Sequence, residues 1–228
     1  MPAILLVDDD PDTWAAVRLA LEPRVKVHAI GSLHGALDFL RARPHEVCGV
    51  IVDLNLTPGS DNFGRVLLER LREVSVPCVV FSSSIRSPAH ALRYENEFGV
   101  LGTIGKGGTA KGTYPLQQLR DCVEKMIAVS LEQLRTRART EVEHELAKRD
   151  ADIGQERARS EQLVIETRRV AGNSAAAKLS AMEAERDKGL VAGAKNLRGE
   201  VMNKIESATT IEELESLRTD ILRALGAL

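Results

Sequence analysis

The last 113 residues of this 228-residue chain contain no proline and no aromatic side chain. All seven aromatics (Trp14, Phe39, Phe63, Phe81, Tyr94, Phe98 and Tyr114) and all eight prolines lie within the first 115. Nothing in the back half breaks a helix with proline, and nothing there supplies bulky rings for a core. The back half therefore reads as mostly helix, and the front half as an ordinary packed domain with loops. This asymmetry argues against one uniform fold.

Charge is nearly balanced in both parts. Residues 1–114 hold 12 Lys+Arg against 13 Asp+Glu, and residues 115–228 hold 19 against 20. Neither carries the basic excess that binding a phosphate backbone demands. No apolar run approaches the ~20 residues of a membrane span. The start, MPAILLVDDD, lacks a basic segment and meets acids at once, unlike a signal peptide. Cys48, Cys78 and Cys122 form no CxxC pair and no His/Cys cluster, so no zinc site is signalled. Reduced thiols in a cytosolic protein are the expectation.

Five short apolar runs alternate with helical patterns in the front half. The strand-like runs are 3–7, 24–30, 47–54, 76–82 and 100–106. Between them, 8–22, 32–43, 62–74 and 87–99 carry apolar residues at helical spacing, with Ser32 as an N-cap and Pro88 at a first helical position. Pro23 and Pro44 close the first two helices. Such alternation predicts a five-stranded, doubly wound parallel α/β sheet with helices on both faces. Its reactive edge lies outside the carboxyl ends of the strands.

The residues at those ends are Asp8, Asp9 and Asp10 after the first strand, and Asp53 after the third. Ser82, Ser83 and Ser84 follow the fourth, and Lys106 the fifth. Clustered carboxylates repel one another unless a cation neutralises them, and an oxygen-only set suits Mg²⁺. A lysine and a hydroxyl beside such a metal can hold phosphoryl oxygens, and an aspartate can accept the phosphoryl group covalently. Asp10 and Asp12 fit capping and loop roles better, and Ser83 and Ser84 read as loop hydroxyls.

The order VDDD, VDLNL, VVFSSS and GVLGTIGK resembles the receiver domain of two-component response regulators, a flavodoxin-like fold. The resemblance covers residues 1 to about 113. It implies that Asp8 and Asp9 position Mg²⁺ and that Asp53 is the phosphoacceptor. It implies that Asn55 lends a backbone carbonyl to the metal, that Ser82 is the switch hydroxyl, and that Lys106 bridges to the phosphoryl group. Ser84 matches a position that tunes dephosphorylation. The partner implied is a sensor histidine kinase or a phosphotransfer protein. The chain departs from the pattern in three places. Pro58 and Gly64 fall five and eleven residues after Asp53, a small insertion over 57–63. Thr103 stands where the switch aromatic is usual, and Gly107 where a proline follows the lysine. GKGGT (105–109) lacks the spacing of a phosphate-binding loop and reads as a flexible loop.

Pro115 opens a long helical pattern through Leu116, Leu119, Val123, Met126, Ile127, Leu131 and Leu134, continuing more weakly through Ala138, Val142, Leu146 and Ile153. Between Glu132 and Arg169, 18 of 38 residues are charged, nine of each sign, as on a coiled-coil or extended helix. A helix over 115–170 would span roughly 80 Å and needs a partner helix, most simply its copy in a homodimer. VAGNSAAAK (170–178) reads as a break. A second helix follows, weakened by Gly189, Gly193 and Gly199. A final helix over 207–225 is capped by Thr209 or Thr210, with Glu212 or Glu213 closing a capping box. The expected domains are a receiver (1–113), a long coiled-coil-like helix (114–170) and a helical hairpin for output or dimerisation (171–228). EVEHEL (141–146) echoes the His-Glu-Leu core of histidine-kinase dimerisation helices, but His144 reads as a solvated helix position.

The reading that follows is a cytoplasmic regulatory phosphoprotein and no enzyme. Asp53 is phosphorylated in a Mg²⁺-dependent step, and the long helix carries the change to dimerisation or to an unidentified protein partner. The competing readings are a receiver-headed docking scaffold with little dependence on phosphorylation and a DNA-binding output. Balanced charge and the lack of a compact helix-turn-helix weigh against the last.

Overall fold

Ala3–Val7, AILLV, is a run of five apolar residues, all buried, and forms the interior strand β1. In the computed structural model, which describes residues 1–225 apart from 23, 44–45, 57–62 and 108–114, the elements follow in strict alternation. They are α1 (Pro11–Leu21), β2 (Lys26–Ile30), α2 (Leu33–Ala42), β3 (Gly49–Val52), α3 (Phe63–Glu73), β4 (Cys78–Ser82), α4 (Pro88–Phe98) and β5 (Thr103–Gly105). Three long helices follow: α5 (Leu116–Ala171), α6 (Asn173–Ser207) and α7 (Ile211–Ala224). The chain divides into two compact units, Met1–Gln133 and Leu134–Leu228, and α5 contributes to both.

All strand pairs in the first unit are parallel, in the order β2-β1-β3-β4-β5. This is the flavodoxin-like doubly wound order, whose crevice lies where the order reverses, outside the carboxyl ends of β1 and β3. Alternate residues of the strands build one core with α2, α3 and α4: Leu5 and Val7, Val50 and Val52, and Cys78 and Val80 pack with Leu67, Leu68, Leu71 and Phe98. The other face is covered by α1 and the start of α5, where Val17, Leu21, Leu119, Val123 and Met126 are buried. Ser32 and Ser87 cap α2 and α4 by accepting from the backbone N–H of Gly35 and His90, and Pro88 opens α4. The helix closures assigned to Pro23 and Pro44 and the insertion around Pro58 fall outside the described residues, as do Tyr114 and the end of GKGGT.

Among the described residues the second unit is three helices. α6 runs antiparallel to α5, as its partners show: Arg139 with Glu206, Arg157 with Asp187, and Ser160 with Glu183. α7 returns along α5, with Arg218 on Glu141 and Arg149 donating to the Leu225 carbonyl at 2.9 Å. Ala138, Val142 and Leu146 of α5, Val201 and Ile205 of α6, and Leu214, Ile221 and Leu222 of α7 are buried, as are Ala208 and Leu225 at the ends of α6 and α7. Thr210 and Glu213 make the capping box of α7, which settles the choice left by the sequence.

The break expected over 170–178 narrows to Gly172, whose φ of 87° ends α5, and α6 starts at the next residue. Gly189, Gly193 and Gly199 lie within unbroken helix. The partner helix that α5 requires in the second unit is supplied, from Arg139 to Ser160, by α6 of the same chain. No helix among the described residues is long and apolar enough to cross a membrane.

Candidate functional site

Three strand ends converge on one lysine. Lys106 follows β5, and its backbone N–H donates to the Ser82 carbonyl at 3.1 Å, which holds the end of β5 beside that of β4. Its Nζ donates to Asp8 Oδ2 at 2.6 Å and to Asp53 Oδ2 at 2.5 Å. The side chain is 10% exposed, and Asp8 and Asp53 are 0% and 5% exposed. The Phe81 ring lies 5.7 Å from the ammonium.

The two carboxylates are held alike. Asp8 Oδ1 accepts from the backbone N–H of Asp10, and Asp53 Oδ1 from that of Asn55, each at 3.0 Å. One oxygen of each acid is thus fixed by its own loop and the other by Lys106. Asp9 is exposed at the mouth. Carboxylate oxygens of Asp8, Asp9 and Asp53 lie within 4.8 Å of one another, close enough to share a cation. Three acids against one lysine leave the site anionic, and hard carboxylate oxygens fit a hard divalent cation such as Mg²⁺.

Burial decides the titration of Asp8. It pushes the Asp8 carboxyl up to about 6, against the lowering effect of Lys106 and of the Asp10 N–H. Burial alone would lower Lys106, but the carboxylates of Asp53 and Asp8 outweigh it, and the ammonium is raised above its ordinary value. Asp10 stays apart from the cluster. It caps α1, accepting from the Asp12 N–H at 3.0 Å and the Thr13 hydroxyl at 2.9 Å. These bonds overcome a raising contribution from burial and hold its carboxyl below the ordinary value.

Ser82 is fully buried, and its hydroxyl accepts from the Ser84 N–H at 3.2 Å. The Ser84 hydroxyl donates to Asn55 Oδ1 at 2.8 Å, and Asn55 Nδ2 reaches the Ser83 hydroxyl at 3.5 Å. The serines read as loop hydroxyls thus tie the loop after β4 to the loop after β3. The sequence gives no periodic signal for such a bond. Gly64, in the first turn of α3, lies against the same loop. A Cβ there would meet the Leu54 Cα at 2.5 Å and the Asp53 carbonyl oxygen at 2.6 Å. Only glycine lets the helix approach the backbone that carries Asp53 so closely.

Thr103 stands on β5 with its hydroxyl buried and without a hydrogen-bond partner among the described residues. His144 lies on α5 in the second unit and is exposed, in keeping with a solvated position.

No family model and no curated protein matches the chain. Solved structures do. A response regulator receiver protein from Pseudoalteromonas atlantica is 26% identical with a TM-score of 0.45, over 57% of this chain and 99% of that one. The N-terminal receiver domain of a two-component response regulator from Bacteroides fragilis is 22% identical with a TM-score of 0.45, over 55% and 96%. A Mn²⁺-bound response regulator is 19% identical with a TM-score of 0.40, over 55% and 89%. The neighbours of this chain among solved structures are response regulator receiver domains, matched along its N-terminal part.

Proposed function

We propose that the chain is a two-component response regulator and that Asp53 is its phosphoacceptor. The observation that carries this reading is the single lysine bridging two buried carboxylates at the carboxyl edge of the sheet, with a third acid at the mouth. A carboxylate oxygen of Asp53 attacks phosphorus of a phosphohistidine on a kinase or phosphotransfer protein. The P–N bond breaks, and the imidazole leaves with its electron pair and takes up a proton. Asp8, Asp9, Asp53 and the Asn55 carbonyl would hold Mg²⁺, which supplies positive charge beside the phosphoryl oxygens. Lys106 exchanges its bond to the Asp53 carboxylate for one to the new phosphoryl oxygens, and the Ser82 hydroxyl turns from the Ser84 N–H toward them. About two negative charges are added at neutral pH.

In this reading residues 1–113 are the receiver. The helix beyond, 114–170, carries the change into 171–228, where it alters self-association or the binding of a protein partner. The test is modification by acetyl phosphate or beryllofluoride with Mg²⁺. Wild type is modified and Asp53→Asn is not. Equal behaviour of the two discards the assignment.

A second reading is favoured by Thr103, whose buried hydroxyl has no partner among the described residues and stands where the family carries its moving aromatic. The first unit is then a constitutive docking head. Hydrogen exchange over residues 82–130, with and without beryllofluoride, separates the two, because a constitutive head shows no change.

A further inference from the structure

The seam of three helices in the second unit ends, among the described residues, at Leu225. Arg149 marks that limit, donating to the Leu225 and Ala224 carbonyls at the end of α7. Beyond it, a groove of about 610 Å³ opens between α5 and α6. Gly154 lines it from α5, and Gly189 and Gly193 from α6. A Cβ on any of the three would meet nothing within 4 Å. Packing among the described residues therefore does not require glycine there, although each glycine costs about 1 kcal/mol against alanine in a helix interior. Leu190 and Leu197 line the groove at 40% and 41% exposure.

The rim is basic. Lys195 and Arg198 line the groove from α6 and have no ion-pair or hydrogen-bond partner among the described residues. Arg149 and Arg157 line the α5 side, the first engaged by α7 and the second by Asp187 at 2.9 Å. Asp150 is the one acidic residue on the lining among the described residues.

We propose that this groove seats an acidic amphipathic helix of a partner protein, continuing the line of α7. The argument has three parts. An apolar trough between two antiparallel helices is the shape into which a helix lays its apolar face. The unfilled glycine positions allow its backbone to come close. Lys195 and Arg198, without a partner among the described residues, complement acidic flanks and select against basic ones. The proposal gives a chemistry to the partner invoked above, and its test does not involve Asp53.

The test uses the full chain and a fluorescent synthetic helix of about four turns. The helix has leucine at i, i+3, i+4 and i+7 and glutamate elsewhere, and a matched peptide carries lysine in place of glutamate. The acidic peptide binds, and added salt weakens it. Two variants lose binding by more than about tenfold, equivalent to 1.4 kcal/mol. Gly189→Leu/Gly193→Leu fills the trough with better helix formers, so helicity by circular dichroism is retained. Lys195→Glu/Arg198→Glu reverses the rim. Equal binding of the lysine peptide, or undiminished binding by the filled variant, overturns the proposal. So does absence of binding by the acidic peptide at about 100 μM. Self-association of the wild type that the filled variant loses also overturns it, by assigning the groove to a second copy.

Discussion

The indole N–H of Trp14 donates to the backbone carbonyl of Asp8 at 2.6 Å. Trp14 sits in the first turn and a half of α1, so the bond ties that helix to the strand end that presents Asp8 and Asp9. Trp14→Phe keeps most of the ring and removes the donor. The expected loss is about 1 kcal/mol of stability, with roughly fivefold weaker binding of the divalent cation. Titration with Mg²⁺ and thermal melting measure the two separately. As the only tryptophan, Trp14 also reports on the site. Its emission changes when beryllofluoride and Mg²⁺ are added to wild type, and an unchanged spectrum counts against phosphoacceptor chemistry at Asp53.

Asp8 makes stability fall with rising pH. Its carboxyl titrates near 3.8 in an unfolded chain and at about 6 in the fold. Between those values the folded state holds the extra proton, so stability declines as pH rises from about 4 to 6 and stays lower above. The decline is on the order of 2–3 kcal/mol. In EDTA, Asp8→Asn lacks this decline and is the more stable protein at pH 7. Urea unfolding from pH 4 to 8 checks it, and parallel curves for the two proteins would refute it.

Removing Lys106 leaves Asp8 and Asp53 facing each other without their shared cation. Lys106→Ala is expected to lose roughly 3–5 kcal/mol in EDTA, the effect of stranding buried charge. Millimolar Mg²⁺ restores a good part of the melting temperature, because the metal takes over the neutralising role. Equal melting of the variant with and without Mg²⁺ argues that the acids hold no metal.

Gly64→Ala pushes a methyl group into the backbone of Asp53 and Leu54. A shift of α3 or of the loop has to follow, at about 1–3 kcal/mol. Phosphorylation by acetyl phosphate slows in the same variant, since the loop carries the acceptor. A variant as stable and as readily modified as wild type would show that the close approach has no role.

The convergence of Asp8, Asp53 and Lys106 was legible in the sequence because each ends a short apolar strand, and a parallel sheet brings such ends to one edge. The bonds of Trp14 to Asp8 and of Ser84 to Asn55 were not. Both depend on loop geometry that carries no periodicity. Gly64 was visible only as a spacing anomaly, and its reason emerges from the backbone it touches. In the second unit the pattern misled at one place. The alanines and asparagine after Gly172 read as a break, yet they suit a helix once one glycine with positive φ has ended the helix before. Toward Gly172 the α5–α6 pair turns Asp187 and Glu183 inward, while Leu163, Ile165 and Met182 lie exposed.

That polar seam sets a gradient of endurance along the second unit. Where Val142, Ile205 and Leu214 are buried, opening exposes apolar surface and is opposed by the hydrophobic effect. Toward Gly172 the pair is joined by Arg157 with Asp187 and Ser160 with Glu183, and water can replace those partners at little loss. Amide exchange should therefore run fastest at the far end and slow step by step toward Val142, so that the hairpin unzips from its tip while its base stays folded.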